Sequence, residues 1–364
     1  MKVIFDHQIF EDQRYGGISR YFVELARELN LVPGCQAAVA AASHFNEYLR
    51  TSALPGFHHY SPARFRGAAR LRAAANRWTA PALARLLGAE VVHATYYRPA
   101  ARRAGRPLVL TVYDMIHEVF PGTDDFTAGM KRRAVAAADH VICISHQTRS
   151  DLIRLLGVPE EKTSVTHLSH SIPVLHAASS SNLANAERPY LLYVGFRFGY
   201  KNFEGFLHAF AASSRLRQEF DIMCFGGGPF TPPELALAHT LGLRDAQLRH
   251  ASGDDESLAR AYTEAHAFVY PSAYEGFGIP PLEAMARGCA VICSDSSSIP
   301  EVVGSAAELF DPNDRESMLN ALEAVCFDPS RRAQLRAAGL RRQAMFTWRR
   351  CAEETARIYS SLTS

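Results

Sequence analysis

A local pattern that occurs twice, far apart in the chain, narrows the possible folds more than any other feature. Lys2-Val-Ile-Phe5 reads as a short buried strand. A polar turn with Gly16-Gly17 follows, then an amphipathic helix from about Ile18 to Leu29, with Tyr21, Phe22, Leu25 and Leu29 at helical spacing. Much later, Tyr190-Leu-Leu-Tyr-Val-Gly195 again reads as a buried strand, followed by the turn Phe196-Arg-Phe-Gly-Tyr-Lys-Asn202 and a helix near Phe203 to Ala211. The sequences do not repeat; the order of strand, glycine turn and helix start does. That order opens a doubly wound α/β unit, so the chain reads as two such units. Its 364 residues agree, since one domain usually takes about 150.

Further strands fit this scheme. Ala37-Ala-Val-Ala40, Val91-Val-His93, Leu108-Val-Leu-Thr-Val112 and Val141-Ile-Cys-Ile144 join the first unit. Ile222-Met-Cys-Phe225, Ala267-Phe-Val-Tyr270 and Ala290-Val-Ile-Cys293 join the second. Domains are expected over 1–170 and 190–340. The Ser, Ala, Asn and Pro-rich stretch 171–189 reads as the linker between them. The end of the chain, about Arg331 to Leu362, reads as helical throughout, with 341–364 free to pack back on the first domain.

Composition removes several function classes. With 48% hydrophobic and 21% charged residues the chain is globular, and a formal net charge of +2 argues against a dedicated nucleic-acid binder. Seven cysteines with no C-x-x-C pair read as reduced, buried thiols of a cytoplasmic protein. The apolar run at Met1 is too short for a signal peptide, and no stretch approaches a membrane span. Residues 62–88 stand apart. Six arginines occur there with no acid until after 88, interleaved with Phe65, Leu71 and Trp78. Such a stretch suits an anionic membrane surface, or a solvated helix whose Ala/Leu face packs on the first domain.

The densest chemistry lies in Tyr270-Pro-Ser-Ala-Tyr-Glu275-Gly-Phe-Gly278-Ile-Pro-Pro-Leu-Glu283-Ala-Met-Ala-Arg-Gly288. It follows a strand, and the carboxyl end of a strand is where open α/β sheets bind ligands. Gly276 and Gly278 let backbone amides approach a ligand. Pro280-Pro281 favour a helix start and Gly288 a stop, which puts Glu283 in the first helical turn and leaves Phe277 exposed between two glycines. Two carboxylates beside a glycine loop suit polyol recognition.

Glu275 and Glu283, with seven residues between them, resemble the E-x7-E signature of retaining glycosyltransferases of family 4, which have the GT-B fold: two Rossmann-like doubly wound α/β domains facing a central cleft. The strings Gly288 to Asp295, Ile299 to Gly304, and Tyr193-Val-Gly195 with Arg197 and Lys201-Asn202 are similar to that family as well. The resemblance runs from about Tyr190 to Asp311 and rests on fewer residues in the first half. It implies that Arg197 and Lys201 hold the donor diphosphate, that Glu283 binds the ribose, and that Glu275 contacts the transferred sugar. Amides of Phe277, Gly278 and Ile279 would add donors near a helix N-terminus. Gly16 and Gly17 would lie across the cleft, where a side chain would block donor or acceptor. Gly226-Gly227-Gly228 would line the nucleotide pocket or simply form a tight turn. Many family members carry a histidine where Tyr113 stands here, so Asp114 or His117 could orient the acceptor or the transferred sugar instead. For Asp114 the competing reading is an Asx turn, and for His117 a polar rim residue. His93 is another strand-end candidate, and Ser145 reads as a helix cap.

The expected reaction is therefore transfer of a hexose, with mannose preferred, from a nucleotide-diphosphate sugar to a glycan or lipid-linked acceptor of surface polysaccharide synthesis. Anomeric configuration would be retained, and no metal or other cofactor is expected, because the cations of Arg197 and Lys201 would serve the leaving phosphate. The site would work in the cytoplasm, with 62–88 as a contact to the inner membrane face. Two rival functions are compatible with an α/β chain of this kind. A nicotinamide oxidoreductase would want G-x-G-x-x-G after the first strand, which Gly16-Gly17-Ile-Ser does not supply. A non-catalytic nucleotide-sugar or glycan-binding protein could use the same fold.

Overall fold

The computed structural model describes residues 1–61, 67–98, 106–120, 122–175 and 188–363. Arg64 and Arg66 of the basic stretch, and positions 176–187 of the expected linker, lie outside the described residues. The chain forms two compact units, Met1–Leu168 with Thr347–Ser364, and Ser169–Phe346.

In the first unit the strands are β1 (Lys2–Phe5), β2 (Gln36–His44), β3 (Gly56–Tyr60), β4 (Val91–Ala94), β5 (Leu108–Val112), β6 (His140–Cys143) and β7 (Thr163–Val165). In the second they are β8 (Tyr190–Val194), β9 (Asp221–Phe225), β10 (Leu248–Ala251), β11 (Ala267–Tyr270), β12 (Val291–Ser294) and β13 (Glu308–Phe310). The sheets run β3-β2-β1-β4-β5-β6-β7 and β10-β9-β8-β11-β12-β13, every pairing parallel. Both are doubly wound, and strand order reverses beside the first strand of each. The four strands not expected from the sequence, β3, β7, β10 and β13, are the four sheet edges. Central strands are buried on both faces and read as apolar runs; edge strands are partly solvated and mix polar with apolar residues.

Helices cover both sheets because their apolar residues recur at helical spacing. Gly17–Leu29 buries Tyr21, Phe22, Leu25 and Leu29. In the second unit Phe206 and Phe210 pack with Leu191, Val269, Ile292 and Leu322. The chain end is not one helix. Pro329–Gln343 stops, and Trp348–Thr363 begins after Thr347, whose hydroxyl accepts the Arg350 N–H at 3.1 Å. The last helix belongs to the first unit, where it buries Cys351, Ala352 and Tyr359.

His93 is a core histidine. Its Nδ1 lies 2.5 Å from the Tyr359 hydroxyl and its Nε2 2.9 Å from Thr111 Oγ1; burial pushes its pKa down to about 3, so the ring is neutral. All seven cysteines are buried, with free thiols. No helix among the described residues is long and apolar enough to cross a membrane.

Candidate functional site

Strand order in the second sheet reverses between β8 and β11, and chemistry gathers at the carboxyl ends of those two strands. After β8 the chain makes a tight turn, Gly199–Lys201, ended by Asn202 in a left-handed conformation (φ +54°) whose amide donates to Pro312 O at 2.9 Å. The Ala273 N–H, in the loop after β11, donates to Tyr200 O at 2.7 Å and ties the two loops together. This brings Lys201 onto Glu275, Nζ to Oε1 at 2.7 Å, with both side chains mostly buried.

The loop that carries Glu275 is held by a run of serines. Ser294 Oγ bonds to Ser272 O, Ser296 Oγ donates to Ala273 O at 2.6 Å, and Ser298 Oγ lies 2.9 Å from Glu275 O and 2.8 Å from Phe277 O. Ser297 clasps Glu275 on both sides, accepting its N–H at 2.8 Å and donating to its carbonyl at 2.7 Å. Ser297 stands at φ +52°, uncommon for a residue with a side chain; backbone strain of this kind concentrates at binding loops. These serines were given no role from the sequence, although four hydroxyls within Ser294-Asp-Ser-Ser-Ser298 after a strand end are a readable signal.

Gly278, at φ +121°, caps the helix Ile279–Ala286. Two expectations are corrected here. Phe277 is not exposed: it is 3% accessible and packs edge-on against Phe346, centroids 5.8 Å apart. Glu283 is not in the first turn but is the fifth helical residue, so the helix dipole does not explain it. Its carboxylate is buried and accepts the Tyr262 hydroxyl at 3.2 Å.

Arg197 is placed otherwise than a phosphate ligand in open reach. Its side chain is 3% exposed. Nε donates to Glu234 Oε1 at 2.7 Å, Nη1 to Gly226 O at 3.4 Å, and Nη2 to Gly228 O at 3.0 Å and Pro229 O at 2.9 Å. The ring of Phe230 lies 4.7 Å from the guanidinium carbon. Gly226, Gly227 and Gly228 are all left-handed, and a Cβ on Gly227 would meet Gly195 O at 2.3 Å. The arginine therefore clasps the glycine turn at the end of β9. Glu234 was missed from the sequence, although Thr231 and Glu234 form a capping box on the next helix.

In the first unit, Asp114 follows β5 and accepts the Ile116 N–H at 3.0 Å, an Asx turn. The fully buried Lys131 holds this turn, donating to Asp114 O and Glu118 Oε2, both at 2.8 Å. His117 Nδ1 lies 3.0 Å from Thr123 Oγ1. Tyr113 is buried, with its hydroxyl on Thr95 O at 3.3 Å. Ser145 caps the helix His146–Leu156. Gly16 is extended, and a Cβ there would collide with the Gln13 side chain, whose oxygen accepts the Ser19 N–H at the start of the helix. A Cβ on Gly17 would meet nothing within 4 Å.

Comparison with known proteins agrees with this architecture. Residues 15–169 match the family described as Glycosyltransferase Family 4, and residues 177–342 match Glycosyl transferases group 1. The chain is 30% identical over 318 residues to the alpha-maltose-1-phosphate synthase of Mycolicibacterium smegmatis, covering 76% of this chain and 80% of that one. It is 32% identical over 234 residues to the O-antigen chain mannosyltransferase B of Escherichia coli, covering 62% of this chain and 61% of that one. With the serotype-specific mannosyltransferase WbdA of E. coli the match spans 27% of the relative's length. Sucrose-phosphate synthase of Thermosynechococcus elongatus superposes with a TM-score of 0.74 at 20% identity, covering 99% and 98% of the two chains. Anabaena HepE, solved with UDP and glucose, superposes with a TM-score of 0.73 at 18% identity over the whole of both chains. Two doubly wound parallel sheets and matches that run through both units lead to one assignment: the chain belongs to glycosyltransferase family 4 and has the GT-B fold.

Proposed function

We propose that the protein transfers a hexose, mannose by preference, from a nucleotide-diphosphate sugar to a glycan or lipid-linked acceptor in polysaccharide synthesis, with retention and without a metal ion. The observation that carries this reading is the Lys201–Glu275 pair at the switch point of the second sheet. An ammonium held there can stabilise the charge that builds on a leaving phosphate. Glu275 would meet the transferred sugar and Glu283 the ribose, with amides of Gly276 to Ile279 as further donors. Asp114 and His117 would face the acceptor. The named activity of the E. coli mannosyltransferase supports mannose and a surface polysaccharide, and the UDP held by HepE supports a nucleotide donor.

Thermal unfolding against a panel of nucleoside diphosphates and nucleotide sugars, without added metal, tests the donor site. A ligand at about 100 times its Kd adds roughly 2.7 kcal/mol, a rise of a few degrees. The expected result is a rise with one base, reduced in Glu283→Ala. No rise with any nucleotide would refute the donor reading. NMR of the product should show the donor's anomeric configuration, and activity should survive EDTA.

The helix Ala68–Leu86 supports a membrane contact. Its inner face packs through Ala84 onto Ile4 and Ala40. Leu71, Trp78 and Leu86 are 61%, 81% and 82% exposed and fall within about 80° on the helix wheel, beside Arg70, Arg77 and Arg85. The occupant proposed is an anionic lipid surface. The chain should co-sediment with phosphatidylglycerol vesicles and far less with phosphatidylcholine, and Trp78→Glu should weaken this. Equal recovery with both lipids would sink the idea.

A further inference from the structure

Away from the groups already assigned, one cluster of the first unit has no part in the reading above. It lies at the carboxyl ends of β1, β2 and β3, which are neighbours in the sheet. Glu47, just past β2, is its hub. Its Oε1 accepts Arg14 Nε and Nη2 at 3.2 Å and the Tyr60 hydroxyl at 2.8 Å, and its Oε2 accepts Arg50 Nε at 2.5 Å. With four bonds and 7% exposure, this carboxylate is used up in holding its neighbours. The Tyr60 and Arg50 bonds hold its pKa down at about 2, so it stays ionised near neutral pH. The arginines it orders are half exposed, Arg14 at 49% and Arg50 at 50%.

A second layer sits beside it. Arg20 Nη2 donates to the Tyr48 hydroxyl at 2.6 Å, with its guanidinium carbon 4.6 Å from the Tyr48 ring centre. Tyr48 meets the Tyr15 ring edge-on at 5.5 Å, and Arg14 lies 5.6 Å from the Tyr15 ring centre. Tyr15 is 60% exposed, directly before Gly16. Two guanidinium groups thus share one carboxylate, beside a supported, solvent-facing aromatic ring.

Each component points to a ligand chemistry. A fixed tyrosine face offers an apolar platform with a polar tip, which suits the C–H face of a pyranose. Guanidinium forks match phosphate oxygens in a bidentate way that a lysine would not. We propose that this cluster is a subsite for a sugar ring next to a phosphate, the ring on Tyr15 and the phosphate against Arg14 and Arg50. That this ligand is an acceptor rests on the transferase reading; the binding itself does not. Gly16 then has a second consequence: with no side chain after Tyr15, nothing from that position shades the ring.

Fluorine NMR of the full chain labelled with 3-fluorotyrosine tests the proposal, with Tyr15→Phe and Tyr48→Phe assigning the two resonances. The probes are N-acetylglucosamine 1-phosphate, N-acetylglucosamine and inorganic phosphate. The sugar phosphate should shift both resonances saturably and at lower concentration than either fragment. Arg14→Gln with Arg50→Gln should raise the midpoint about tenfold, as expected for loss of charge-assisted bonds. Tyr15→Ala removes an exposed ring, so its fold is safe; it should weaken the sugar phosphate, followed on Tyr48, and leave phosphate unchanged. A second arm uses farnesyl diphosphate-linked N-acetylglucosamine. Tighter binding there assigns the phosphate to a lipid-linked acceptor, and equal binding to a phosphorylated sugar. Unmoved resonances, shifts reproduced by phosphate alone, or arginine variants that titrate like the parent would overturn the subsite. A nucleotide-dependent melting rise in the same variants reports separately on the donor reading.

Discussion

Lys201→Ala is expected to lower kcat by about 10²- to 10³-fold, the scale found when a preorganised donor to developing charge is removed. The lysine is fixed before any substrate arrives. Glu275 holds its Nζ at 2.7 Å, and the ring of Tyr270 lies 5.9 Å away. On the proposed reaction, little reorganisation would remain when charge reaches the leaving phosphate. Lys201→Arg keeps the charge and should recover part of the rate, whereas Lys201→Met should resemble alanine. Initial rates of nucleotide-sugar consumption at saturating donor give the answer. A kcat within about threefold of the parent would remove Lys201 from the chemistry and leave the pair with Glu275 as a structural bridge.

Arg197→Met should act differently, costing about 3–5 kcal/mol of stability in the second unit, the scale for breaking a buried ion pair from one side. Its removal strands the Glu234 carboxylate, whose pKa sits below the usual range despite burial because Arg197 and Thr231 bond to it. It also frees the carbonyls of Gly226, Gly228 and Pro229. Urea unfolding of the second unit's transition measures this directly. The family resemblance implies a phosphate ligand at this position, and such a ligand would be lost with activity falling and stability nearly unchanged. A loss of stability on that scale would make Arg197 a positioning residue that shapes the glycine turn through Glu234 and the turn carbonyls. Arg197→Lys separates the two roles: a point charge could serve a phosphate, but it cannot reach Glu234 and the turn carbonyls together.

Most of the architecture was open to reading because it depends on local pattern. Apolar runs such as Leu108–Val112 and Ala267–Tyr270 mark strands buried on both faces, and helical spacing marks Gly17–Leu29. Edge strands escaped because half of each is solvated and the pattern dissolves. The break at residues 344–347 escaped because both flanking segments are good helix formers, and only the passage from one unit to the other separates them. The serine run and Glu234 escaped because a hydroxyl or carboxylate carries no mark of what it will bond.

The sequence alone therefore determined two doubly wound units, the glycine positions that turn the chain, and the residue types gathered at strand ends, all of which follow from neighbours within a few residues. Which of those groups meet depends on the three-dimensional arrangement of the strands. It put Lys201 on Glu275 across 74 positions of chain, turned Arg197 inward to Glu234, buried Phe277 and moved Glu283 off the first turn. The physical reason is that a side chain's charge and shape are set by its identity. Its partner and its exposure are set by which strand ends the sheet order makes neighbours.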